Sequence, residues 1–165
     1  MPPGRVRPLS PESKHMNDLT VQEGGLPSHE QLRTETLSAL FELLAAAGLH
    51  RATVSYCGTG DSGGPEGVSF ERPDGSALEP MPCLSLRQFA DNYVDGQWRQ
   101  HIIQAEYRLD DALTDLAMAL VEELHSGWED GDGASGEVIF DVQDAKVLVQ
   151  HNAYFTDSTS TVTIL

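Results

Sequence analysis

Apolar residues recur along this chain at two distinct intervals, and the interval sorts the chain into elements. Leu37, Leu40, Phe41 and Leu44 return every three or four positions, the period of one helix face. A helix is predicted from Ser28, where Ser28 and Gln31 stand at capping-box spacing directly after Pro27, and Gly48 supplies the stop. A second helix is predicted from Asp110: two aspartates suit its N-terminus, Leu113, Leu116, Ala117, Leu120 and Leu124 form its stripe, and Gly127 ends it. Elsewhere the period drops to two. Residues 51–57 alternate Ala52, Val54 and Tyr56 with Thr53, Ser55 and Cys57, and residues 67–72 alternate Val68 and Phe70 with Ser69 and Glu71. A glycine-rich loop between them makes a long-looped hairpin. Three further strands are predicted at 137–142, 146–150 and 158–165, the first two joined by a short turn, Gln143, Asp144 and Ala145.

Residues 73–108 follow neither period cleanly. Pro80 and Pro82 interrupt regular structure, Leu86, Phe89 and Tyr93 predict a short helix capped by Ser85, and residues 98–107 suit either type. Residues 1–27 hold five of the nine prolines and little apolar surface, which predicts a disordered tail. Met16 opens a stretch of different character, so the first fifteen residues read as an upstream extension. The expected architecture is one α+β domain over residues 28–165, an antiparallel sheet of about five strands with two main helices packed on one face. Its order is α-β-β-insert-α-β-β-β.

Composition narrows the class of partner. At 165 residues the chain supports one hydrophobic core, and 39% hydrophobic residues suffice to build it. Against 26 acidic residues stand 10 lysines and arginines, a net charge of −16. Such a charge repels phosphate backbones and anionic lipid, so direct nucleic-acid or membrane binding is not expected, and attraction to a basic partner is. The charge is concentrated: residues 106–144 hold twelve acidic residues and one basic one, Arg108. On the second helix Asp111, Asp115, Glu122 and Glu123 lie off the apolar stripe, and lysine and arginine are scarce at i, i+4 spacing, which predicts an unneutralised solvent face. Cys57 and Cys83 are far apart, without metal-ligand spacing, and point to a reducing compartment. No apolar run approaches the ~20 residues of a membrane span. The expected location is the cytoplasm.

Gly60-Asp61-Ser62-Gly63-Gly64-Pro65 matches, letter for letter, the nucleophile segment of trypsin-like serine proteases. That chemistry also needs a histidine base and an orienting aspartate, both upstream of the serine in that family. Here only 61 residues precede Ser62, and His15, His29 and His50 fall in a tail, a helix cap and a connection. Nothing in the sequence favours a rearranged set using His101, His125 or His151. The string reads as a glycine-rich hairpin loop, and the protein is not expected to be a serine protease.

A second glycine-rich loop, residues 125–137, carries Glu129, Asp130, Asp132 and Glu137 beside Trp128. Flexible, oxygen-rich segments hold Ca²⁺ or Mg²⁺, yet the EF-hand pattern fails at Ala134 and no second helix follows. No zinc spacing is present. Trp128 fits either a core anchor or a contact residue.

The ordered motifs Val54-Ser55-Tyr56, Gly60-Asp61-Ser62-Gly63, Gly127-Trp128-Glu129, Asp132-Gly133, Gly136-Glu137, Phe140-Asp141-Val142 and His151-Asn152-x-Tyr154 resemble an uncharacterised bacterial family. Its members are short, acidic domain-of-unknown-function proteins met in mobile elements, and the likeness covers roughly residues 32–157. The resemblance implies no activity. This chain differs from the family pattern at Gly64-Pro65 and in lacking a histidine and aromatic ending after residue 161.

The expected function is binding, with no catalytic residue and no cofactor: an acidic face of Asp61, Ser62, Asp111, Asp115, Glu122, Glu123, Trp128, Glu129, Asp130, Asp132 and Glu137 receives a basic protein. Concrete forms are a mobile-element inhibitor of a nucleic-acid-binding host protein, mimicking nucleic acid, and an immunity protein. The alternative is a small metal-dependent enzyme in which Asp61, Glu129, Asp132 and Glu137 converge on Ca²⁺ or Mg²⁺.

Overall fold

A computed structural model describes residues 17–18 and 25–163. The element order is β1 (Asn17–Asp18), α1 (His29–Ala46), β2 (Arg51–Thr59), β3 (Ser62–Glu71), β4 (Cys83–Val94), β5 (Gln97–Arg108), α2 (Leu109–Leu124), β6 (Ala134–Asp141) and β7 (Lys146–Ala153). All pairings are antiparallel. The strands form two sheets, one ordered β3-β2-β6-β7 and one ordered β1-β5-β4, so the α+β class holds. Most of the tail predicted over residues 1–27 lies outside the described residues; Asn17 and Asp18 pair with Gln104 and Ile103 of β5.

Local chemistry sets the helix ends. Ser28 Oγ accepts from the Gln31 amide at 3.1 Å while Gln31 Oε1 accepts from the Ser28 amide at 2.7 Å, which closes the capping box. Such a cap contributes about 1 kcal/mol. Gly48, at φ +72°, carries the chain out of α1. The α2 stripe is rotated relative to the sequence reading: Leu109, Ala112, Leu113, Ala117 and Val121 are buried, while Leu124 is 59% exposed. The helix runs out of core before its last turn.

The core joins both helices to one face of the four-stranded sheet. Leu40 and Leu44 of α1 and Leu113, Ala117 and Val121 of α2 share a cluster with Ala52, Val54 and Tyr56 of β2 and Val138 and Phe140 of β6. The register explains this face: Ala52 pairs with Phe140, Val54 with Val138 and Tyr56 with Gly136, so alternate positions point the same way. Leu86 brings the second sheet into the same core.

Three expectations are corrected. The long loop between β2 and β3 is a two-residue turn, Gly60-Asp61, flanked by the pair Thr59–Ser62. The unresolved insert is a hairpin of two twelve-residue strands, and the helix predicted after Ser85 is β4. Its turn is Asp95-Gly96, both at positive φ, a pairing that holds two strands in register and makes the ladder, not a helical face, the source of order. Of the last predicted strand, 158–165, the described residues 158–163 join neither sheet. Among the described residues no helix is long and apolar enough to cross a membrane.

Candidate functional site

One end of the four-stranded sheet gathers the turn 60–61, the α2–β6 connection and the chain leaving β7. Gly60 and Asp61 adopt φ +61° and +66°, a twist that suits a two-residue hairpin; glycine takes it freely and aspartate tolerates it. The turn is tied to the second loop by its backbone. The Gly60 amide donates to Gly131 O and the Asp61 amide to Glu129 O, both at 3.2 Å, and Asp61 Oδ1 accepts from the Gly131 amide at 3.4 Å. From the other side the Tyr154 amide donates to Gly133 O at 2.9 Å, and Thr156 donates to the Asp132 carboxylate from both its amide and its hydroxyl.

Beneath this junction lies an aromatic floor that glycines make possible. Trp128, 8% exposed, meets Tyr56 edge-to-face at 5.1 Å and 77°. Such a pair contributes about 0.5–1.5 kcal/mol beyond area burial. A Cβ at Gly63 would stand 2.6 Å from the Trp128 ring and one at Gly58 2.8 Å from it. Gly63 of the protease-like string, with Gly58 opposite it on β2, therefore makes room for an indole. Ser62 is an exposed strand residue, with its backbone opposite Thr59.

Tyr56 reaches across the sheet. Its ring crosses Gly136 of β6, where a Cβ would stand 2.4 Å from the hydroxyl oxygen, and the hydroxyl lies 2.7 Å from His151 Nδ1 on β7. The rings of His151 and His125, the α2 C-cap residue, stack at 3.8 Å and 6°. Burial and then the neighbouring His125 hold the His151 imidazole below its ordinary pKa, and burial pushes the Tyr56 hydroxyl above its own. A neutral His151 whose Nδ1 accepts a hydrogen bond from the neutral Tyr56 hydroxyl is consistent with both. Of the three later histidines, His125 and His151 are so engaged and His101 lies on β5 of the other sheet.

Each predicted site residue can now be placed. Asp61, Glu129, Asp130 and Asp132 meet at the junction, with Asp61, Asp130 and Asp132 exposed. Glu129 Oε2 is buried without a hydrogen-bond partner. Glu137 does not join them: it sits on the outer face of β6, paired in register with Ser55 and Gln150. Among the described residues no group of three or more His, Cys, Asp or Glu is arranged to hold a metal ion, so the four-carboxylate set does not converge as that alternative requires. Trp128 is core rather than contact surface.

Asp111, Asp115, Glu122 and Glu123 are exposed on α2, but the face is partly neutralised. Arg33 of α1 forms a two-pronged ion pair with Glu123, and Arg108 holds Asp110 at 2.8 Å, keeping that carboxyl below the usual range. Spacing within one helix does not reveal a cation supplied by another. The Tyr56–His151–His125 array also escaped the reading by spacing, since its members are far apart in sequence; isolated glycines inside strand patterns, at 58, 63 and 136, are the signal of close approach that marks it.

The arrangement is thus an aromatic floor of Tyr56 and Trp128 beneath a rim of carboxylates from residues 61 and 129–132. The chain belongs to a family of unknown function, DUF6878, whose model matches residues 32–163. No curated protein and no solved structure matches it.

Proposed function

We propose that this member of a family of unknown function is a binding protein that docks a basic protein on the acidic rim of Asp61, Glu129, Asp130 and Asp132. Glu122, in the last turn of α2 before the α2–β6 connection, extends the rim, while Asp111 and Asp115 carry further negative charge back along the helix. One observation carries the reading: the Asp61–Glu129 and Gly60–Gly131 backbone bonds fasten together two segments that bear carboxylates and contain no lysine or arginine. Carboxylates held on a rigid backbone act as a preformed anionic surface, which attracts a cationic partner without a cost of ordering loops on contact.

Two physiological forms fit this chemistry. A protein that normally grips phosphates is blocked by a surface that mimics them, and a basic toxin is neutralised by an immunity partner. In both, long-range attraction speeds encounter and salt weakens it. Fluorescence anisotropy with a labelled Lys/Arg-rich peptide tests this. Affinity is expected to fall at least about tenfold as salt rises from about 50 to 300 mM, following the shrinking screening length. No binding at low salt, or an affinity indifferent to salt, contradicts the proposal.

A further inference from the structure

Residues 158–163 are composed like a strand and have no sheet to join. Their sequence, Ser158-Thr159-Ser160-Thr161-Val162-Thr163, is rich in β-branched residues, yet the segment joins neither sheet, and Val162 is 87% exposed. Its own sheet edge is turned away from it. Tyr154 is bonded to Gly133 O and to Ser135 Oγ, and Thr156 to Asp132, so the chain leaves β7 toward the β6 side of the corner. To reach the free edge of its own β7 it would have to reverse across the strand it has just left.

Of the four described sheet edges, β1 is only two residues long, and the other three differ in what they offer. β3 is interrupted by Gly63, Gly64, Pro65 and Gly67 and by a register shift opposite Ser55 and Tyr56, features that blunt an edge against pairing. β4 packs against α1 and carries the Arg87–Glu35 and Phe89–His29 contacts. β7 has none of these protections: it lies outermost in β3-β2-β6-β7, and its eight residues include neither proline nor glycine. Charge singles it out as well. In a chain of net charge −16, β7 holds no carboxylate and one lysine, Lys146, and residues 158–165 hold no charged side chain. Here one acidic molecule can approach another without bringing carboxylates together.

We propose that residues 158–163 of one copy add as a strand to the β7 edge of a second copy, and reciprocally, closing a two-fold dimer. The alternation fits: Val162 falls on one side of the segment and Thr161 and Thr163 on the other, matching β7, where Val147 and Val149 face the core and Leu148 faces out. Main-chain hydrogen bonds supply the affinity and Val162 the register. The dimer is independent of any basic partner on the acidic rim.

Light scattering coupled to size exclusion reads the outcome directly. The full chain at tens of micromolar is expected at twice the 17.9 kDa protomer mass. A chain ending at Asp157, which keeps the Tyr154 and Thr156 anchors, is expected at one protomer mass with an unchanged circular dichroism spectrum. Thr161→Pro, which removes a ladder donor and adds no charge, is expected to be monomeric too. A monomeric full chain, or a dimer that survives both changes, overturns the proposal.

Discussion

The Tyr56 hydroxyl lies 2.7 Å from His151 Nδ1, two strands away, and it gets there because residue 136 in between is glycine. An added Cβ there would stand 2.1 Å from Gln150 O as well, so the backbone of β7 and the tyrosine would both have to move. Gly136→Ala is expected to destabilise the protein by about 2–3 kcal/mol, the range of overpacked cores. The urea unfolding midpoint checks this, and an unchanged midpoint would show that Tyr56 does not cross the strand as described.

Acid should loosen the same corner. The folded pKa of His151 is below the unfolded value of about 6.5, so the unfolded chain takes up its proton first as pH falls. The stability tied to neutral His151 is therefore full above about pH 6.5 and is lost on acidification through the folded value. An NMR titration is expected to place His151 below the ordinary histidine range. His125→Ala, which removes the stacked neighbour, should raise it, because His125 is one of the two causes of the depression.

Gly63 and Trp128 are predicted to be coupled. Gly63→Ala alone is expected to cost about 1–3 kcal/mol by pressing on the indole. In a Trp128→Leu background the same change should cost less, the remainder coming from Gly58 Cα, which would stand 2.9 Å from the added Cβ. Equal costs in both backgrounds would mean that the glycine answers to something other than the ring.

The tip of the β4–β5 hairpin should tolerate change. Tyr93 and Trp98 pair across the strands at 5.3 Å but are 62% and 73% exposed. Tyr93→Ser and Trp98→Ser are each expected to cost less than about 1 kcal/mol in thermal unfolding, the scale of a cross-strand pair on a solvated surface.

The periodic parts of this fold were legible because burial and period coincide: Ser28 capping α1, Ala52, Val54 and Tyr56 facing inward, and Phe140 opposite Ala52. The hairpin of β4 and β5 was not, because Leu86, Phe89 and Tyr93 happen to fall at helical spacing. In the strand Leu86 points to the core, while Phe89 and Tyr93 alternate to the other side. Asp95-Gly96 between Val94 and Gln97 carried the opposing signal, since that dipeptide suits a two-residue hairpin turn. Of the candidate site, the carboxylates of residues 61 and 129–132 were readable as types. Their meeting through the Asp61 and Gly60 amides was not, because it depends on strand register. Nor was the relief that Arg33 gives Glu123 from another helix.

The central claim is that charge at one place, not charge in total, binds the partner. Two triple variants separate these: Glu122→Gln, Glu129→Gln and Asp130→Asn at the rim, and Glu42→Gln, Glu79→Gln and Asp91→Asn elsewhere on the exposed surface. Both lose three negative charges. Anisotropy titration with the Lys/Arg-rich peptide at low salt is predicted to show at least about a tenfold weaker affinity for the rim variant, equivalent to about 1.4 kcal/mol, and less than about a twofold change for the other. Equal losses in the two variants would contradict a localised site.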